Sequence, residues 1–244
     1  MNVGEFFEKL SLGELSNLNI GKEGAGFVSA DKESTLITYT NTALKALYSR
    51  FAYKKSYVNL ELQEDQNIYE LNSLYAVTDT TPDNNNTRYI KDTVANPFKD
   101  DVIKILAIQQ QDDPTTLYVD ETQQLSVNVH PDYGGIKLLS YNRFYVPTPV
   151  AGTILKIEYQ ATHPELSNPM VPSEQIELIP MLHEALEMRV AARVYSSMNG
   201  EMNLAKADTL MRRYEHLCLL IEADDLMHET ESVGHDKLRD KGFI

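Results

Sequence analysis

The stretch "HEALEM", His183 to Met188, comes nearest in this chain to a metal-dependent hydrolytic motif. A zinc-protease helix needs H-E-x-x-H, because two imidazoles one turn apart can share an ion while the glutamate serves as base. The fifth position here is Glu187, so the second imidazole is missing. A hydrolase would have to work with Glu184, Glu187 and a histidine brought in from elsewhere. Solvated acids on a surface helix is the plainer reading. His130, His163, His216, His228 and His235 stand singly, without ligand-like spacing. No G-x-S-x-G elbow occurs, and Cys218 lies among Leu217, Leu219 and Leu220, which predicts a buried thiol with no activating base. Asp112–Asp113 and Asp224–Asp225 are adjacent in sequence, whereas catalytic carboxylates must face each other across a substrate. The expectation is no catalytic residue, no metal ligand and no cofactor.

Two further stretches invite a phosphate. In "GKEGAGF", Gly21, Gly24 and Gly26 read G-x-x-G-x-G, while a dinucleotide loop needs G-x-G-x-x-G after a buried strand. A P-loop needs its lysine after the glycines, and Lys22 precedes two of them. The three glycines therefore predict a hinge. In "YSRFAYKK", Arg50, Lys54 and Lys55 alternate with Tyr48, Phe51, Tyr53 and, just beyond, Tyr57. Such a patch can stack bases and hold phosphates. It equally suits a helix end, where cations meet the negative end of the dipole and aromatics cover a helix–sheet junction. Arg50, Phe51 and Tyr53 are read as that corner.

Charge decides between these readings. The 244 residues carry a formal net charge of −14, so general attraction to DNA or an anionic membrane is excluded. A single cysteine rules out an internal disulfide and argues for a reducing compartment. The stretch MNVGEFFEKL has no basic start of the secretory kind, and no apolar run approaches the ~20 residues of a membrane span. A soluble protein made in the cytoplasm is expected, with an ordinary globular balance of 42% apolar and 24% charged residues.

The elements that must position these residues fall into three zones. Residues 1–53 read as helix: a short one around Glu5, Phe6, Phe7 and Leu10, then one capped by Asp31 with Leu36, Tyr39, Ala43, Leu44, Leu47 and Phe51 in step. Residues 54–172 change period to two. "YVNLEL" alternates Val58, Leu60 and Leu62; "LSVNVH" alternates Leu125, Val127 and Val129; "ILKIEYQA" sets Leu155, Ile157, Tyr159 and Ala161 on one face. "DVIKILAI" reads as a central strand, and "TPDNNNT", "QDDPTT" and "HPDYGG" as turns. Residues 173–228 return to helix, starting at Pro180, with Leu182, Ala185, Leu186, Val190, Val194 and Ser197 on one face. A break at Asn199–Gly200 leads to a second helix with Leu204, Ala207, Met211, Tyr214, Cys218, Ile221 and Leu226 in step. Residues 229–244 read as a flexible polar tail ending in Phe243 and Ile244. The predicted fold is α+β: a helical bundle from residues 1–53 and 173–228, with an inserted antiparallel β domain over 54–172.

This order of elements resembles the head-to-tail adaptor (connector, or head-completion) proteins of tailed double-stranded DNA phages. The matching parts are "NTALKALYSRFAYKKSYVNLEL", "DVIKILAIQQ", "IELIPMLHEALEMRVAARVYSSMNGE" and the helix carrying "YEHLCLLIE". The likeness covers most of residues 30–226, and its motifs are structural rather than catalytic. Residues 229–244 and "TPDNNNT" fall outside it. The resemblance implies a virion protein in the neck: a homo-oligomeric ring, commonly of about twelve subunits, beneath the portal protein. Such a ring joins capsid to a tail or nozzle protein and leaves a channel through which DNA passes without specific binding. An acidic wall suits that passage, because it repels phosphates. Leu238, Arg239, Phe243 and Ile244 are then the candidate contacts to portal or to a neighbouring subunit, ordering on assembly. Other tail or neck components, such as a tail terminator or baseplate adaptor, stay open as alternatives, as do the hydrolase noted above and a plain interaction module.

Overall fold

The computed structural model describes residues 1–18, 29–81, 85–111, 113–119, 125–126 and 135–223. The predicted hinge Gly21, Gly24 and Gly26 and the predicted tail contacts Leu238, Arg239, Phe243 and Ile244 lie outside them. Along the chain come helix α1 (Val3–Leu12) and helix α2 (Ala30–Arg50). Strands β1 (Lys55–Glu61), β2 (Ile68–Glu70), β3 (Ile90–Lys91), β4 (Val102–Gln110) and β5 (Asp113–Val119) follow. Then come β6 (Leu125–Ser126), β7 (Lys137–Ser140), β8 (Arg143–Tyr145) and β9 (Ile154–Ala161), and finally helices α3 (Pro180–Ser196) and α4 (Glu201–Ala223). The fold is α+β with an antiparallel β module between helices. It divides into two compact units, the described residues of Met1–Lys32 with Leu178–Ile244, and Glu33–Glu177.

The first unit is helical. Asn2 caps α1 with a capping box: its Oδ1 accepts the Glu5 N–H at 2.8 Å, and the Glu5 carboxylate accepts the Asn2 N–H at 3.0 Å. Val3, Phe6, Phe7 and Leu10 form the buried face of α1, which packs on α3. Pro180 opens α3, where its missing N–H goes unneeded, and α3 and α4 pair as a hairpin. Gly200 sits at φ 115° in their link, a conformation that a Cβ strains. Glu14 ties the N-terminal segment to both helices. Its carbonyl accepts the Tyr195 hydroxyl at 3.0 Å, and its carboxylate meets Lys206 at 2.9 Å and Arg213 at 3.7 Å. Cys218 is buried on α4, as its leucine-rich surroundings predict.

The period of α4 is right, but its apolar face is turned slightly from the predicted one. Ala207, Leu210, Tyr214, Cys218 and Ile221 are buried, whereas Leu204 is 52% exposed. On α3 the buried set is wider than predicted, adding Met188, Ala191, Ala192 and Tyr195, while Ser197 is exposed at the C-cap.

The second unit holds two antiparallel sheets, in strand order β3-β1-β9-β4-β5-β6 and β2-β8-β7. Val58, Leu60 and Leu62 are buried on one side of β1 and its continuation, and Leu155, Ile157, Tyr159 and Ala161 on β9, as their alternation predicts. β4 is an interior strand between β9 and β5, in keeping with its continuous apolar run. The core gathers Leu60, Ile90, Ile108, Phe144 and Ile157, with the Tyr69 ring stacked on Phe144 and edge-on to Tyr89. "QDDPTT" is shorter as a turn than predicted, because Asp113–Thr116 already belong to β5. Pro114 lies near the strand start, beside a register shift at Gln109/Gln110, and among the described residues β6 pairs with Tyr118 and Val119 at the other end of β5.

The long helix α2 starts at Ala30, one residue before the predicted cap at Asp31. From Glu33 onward it falls in the sheet unit, whereas the sequence reading groups it with the C-terminal hairpin because neither flank could bury its apolar stripe alone. Polar bonds to the segment after β9 hold it there. Asn41 exchanges two hydrogen bonds with Leu166, accepting its N–H at 2.9 Å and donating to its carbonyl at 3.3 Å. Lys45 meets Glu165 at 2.5 Å, and Glu33 and Ser34 bond Met170 and Asn168.

Candidate functional site

Arg50, Phe51 and Tyr53, the residues read as a corner, lie at the passage from α2 into β1. Phe51 is buried, the Arg50 guanidinium lies 5.9 Å from its ring centroid, and the Tyr53 ring stands edge-on to Tyr48 at 5.6 Å. A helix ending in mid-core leaves carbonyls without amide partners. Here Gln160, buried on β9, donates its side-chain amide to the Tyr48 and Phe51 carbonyls. A single side chain thus closes the helix and anchors it to the sheet. Gln160 carries no sequence signal of this role, since it occupies the polar phase of β9.

Behind the corner sits His163, 3% exposed. Its Nε2 accepts the Glu177 N–H at 2.9 Å, so its Nδ1 carries the proton, donated to the Pro164 carbonyl. The ring meets Tyr48 edge-on at 5.5 Å, and the Tyr48 hydroxyl donates to the Glu177 carbonyl. Burial lowers the His163 pKa below its ordinary value and keeps the ring neutral. The Tyr48 phenol is pushed up, first by burial and then by the Glu177 charge. Glu177 itself is held low by the Lys54 ammonium, which donates to it at 2.8 Å. His163, which the sequence leaves among scattered singles, is a structural acceptor at this junction.

Lys54 also borders a cleft of about 370 Å³ beside β1 and β3. Lys54, Lys91, Lys99 and Lys156 line it, with Asp92 and Asp101 the acids among its walls. Lys91 and Lys156 flank Asn59 in one row, since Asn59 is the register partner of both. Lys91 pairs with Glu61, and the Lys156 ammonium lies 4.4 Å from the Tyr57 ring centroid. Both aspartates are tied into the wall. Burial would raise the Asp92 pKa, but bonds from the Thr78 hydroxyl and N–H and the Phe98 N–H outweigh it and hold the carboxyl low. Asp101 accepts the Tyr159 hydroxyl at 3.0 Å. Between Lys99 and Asp101, Asp100 takes φ 55°, held by bonds from the Ser73 N–H and hydroxyl. The loop over the cleft is therefore clamped in a left-handed turn rather than draped. Of this cationic cleft the sequence marks only Lys54, Tyr57 and the neighbouring corner.

The "HEALEM" residues lie on α3. His183 Nε2 is 3.0 Å from the Leu178 carbonyl, and burial raises the Glu187 pKa. Among the described residues, no group of three His, Cys, Asp or Glu is gathered that would hold a metal ion. No helix among them is long and apolar enough to cross a membrane.

No protein-family model matches this chain, and no curated protein matches it.

Proposed function

We propose that this chain is a head-to-tail adaptor of a tailed double-stranded DNA phage, a structural subunit rather than an enzyme. In this reading it forms a homo-oligomeric ring beneath the portal, binds a tail or nozzle protein on the other side, and belongs to the neck of the virion. What supports the reading is the helix–corner–strand passage. Within the first matching part, "NTALKALYSRFAYKKSYVNLEL", the chain runs on from α2 into β1, and Gln160 bonds the carbonyls at the helix end. The tight α3–α4 hairpin with its Gly200 link is the second matching part. The net charge of −14 suits a wall past which DNA must slide.

The test is imaging of assembled particles, with this chain tagged. A closed ring of density next to the portal is the expected result. Density in the baseplate or at the far tail end, or none in particles, would sink the reading.

A further inference from the structure

Strand β1 has an open edge inside the lysine-lined cleft. It pairs with β9 along its whole length, from Lys55↔Gln160 to Glu61↔Ile154, but with β3 only at Asn59 and Leu60. In an antiparallel ladder successive residues turn their N–H and C=O to opposite neighbours. Leu62 donates to Thr153 and Ala161 donates to Lys54, so even-numbered residues of this segment face β9. Glu61 donates to Tyr89, so odd-numbered residues face the β3 side. Continuing that register would set Tyr57 opposite Thr93. There the chain turns away instead, with Thr93 and Asn96 exchanging hydrogen bonds. The main-chain N–H and C=O of Tyr57 consequently point toward the cleft, with no hydrogen-bond partner among the described residues.

We propose that this slot receives an acidic, extended peptide segment of a partner protein, which adds to β1 as a short strand beside Tyr57. An exposed strand edge takes its affinity from main-chain bonds and its selectivity from flanking side chains. Here those flanks are cationic. Lys54 and Lys91 already hold Glu177 and Glu61, whereas exposed Lys99 and Lys156 meet no carboxylate within ion-pair distance among the described residues. Separate ammonium groups act as point charges, each suited to one carboxylate. A phosphate ligand fits less well. Asp92 and Asp101 border the same space, no arginine lines it, and a nucleic acid has no alternating N–H and C=O with which to satisfy Tyr57. The volume, about 370 Å³, is that of a small ligand site and admits a few residues. The proposal stands apart from the adaptor reading, since it rests only on the sheet unit.

The experiment is a fluorescence anisotropy titration of the full chain with a labelled octapeptide of alternating glutamate and threonine. Saturable binding is expected, weakened at least about tenfold in the Lys99→Gln/Lys156→Gln double variant. Two further forms of the peptide carry N-methyl groups on all glutamates or on all threonines, and the form whose methyl groups fall on the N–H groups facing β1 should bind the unaltered protein at least about tenfold more weakly. That arm does not depend on any variant folding. Equal binding of both N-methylated forms and the unmethylated peptide overturns the strand pairing. No binding at millimolar peptide overturns the site and leaves the lysines as guards of an exposed edge. A single-stranded oligonucleotide that binds through the same lysines and is not displaced by the peptide overturns it in favour of a phosphate site.

Discussion

At His163 the ring nitrogen that accepts the Glu177 N–H is also the one that would take up a proton. Protonated, it becomes a donor facing a donor, so the folded state resists charging. The sign follows from burial, which holds the folded pKa below the ordinary value of 6.5. The unfolded chain then binds the proton first, and stability falls as pH drops through about 6.5. Glu177, held low by Lys54, works in the same direction further down: its stabilisation is present above its ordinary 4.5 and is lost as pH falls below that value. The urea midpoint should therefore drop between about pH 7.5 and about pH 5.5, and His163→Gln should flatten that drop. His183, also lowered by burial, keeps a residual slope. An undiminished slope in the variant would remove His163 from the account. At Gln160, replacement by Ala strands the Tyr48 and Phe51 carbonyls and should cost about 1–3 kcal/mol in chemical denaturation. These roles escape the sequence because both residues are polar side chains in segments whose burial is decided by partners far along the chain.

At the scale of elements, apolar spacing carries most of the information. The alternation in β1 and β9 and the 3.6-residue period in α1, α3 and α4 reappear as buried faces. A period fixes a face only to within about one residue's turn of 100°, which is why Leu204 and Leu210 exchange roles on α4. Leu210→Ala should cost about 2–5 kcal/mol, because it opens a cavity among close-packed side chains. Leu204→Ala should stay within about 0.5 kcal/mol. Comparable losses at the two positions would mean that the hairpin packs on a different face. The α3–α4 link gives a sharper test of the backbone. Gly200→Ala places a Cβ at φ 115°, and the thermal midpoint should fall by an amount equivalent to about 1–2 kcal/mol.

For the molecule as a whole, the acidic balance bears on how copies would meet in the proposed ring. Subunits of net charge −14 repel one another at low salt, so a ring would form on a portal template rather than freely in solution. Mass measurement of the isolated chain should find monomers or small oligomers, and a stable closed ring without portal would contradict template assembly. On the adaptor reading proposed above, a chain truncated after Met227 should dock more weakly onto portal-bearing heads than the full chain, since it lacks the candidate contacts Leu238, Arg239, Phe243 and Ile244. Equal docking would remove these four residues from the proposed contact.

The α+β class, the antiparallel module, the proline and glycine that bound α3 and the hairpin, and the buried thiol were all determined by local rules: periodicity, φ restriction and composition. The tertiary structure alone decided that α2 from Glu33 onward joins the sheet unit, that Gln160 and His163 serve as a cap and an acceptor, and that Lys54, Lys91, Lys99 and Lys156 meet at one open strand edge. Each of these depends on strand register and on contacts between residues distant in sequence. Spacing along a single segment does not encode them.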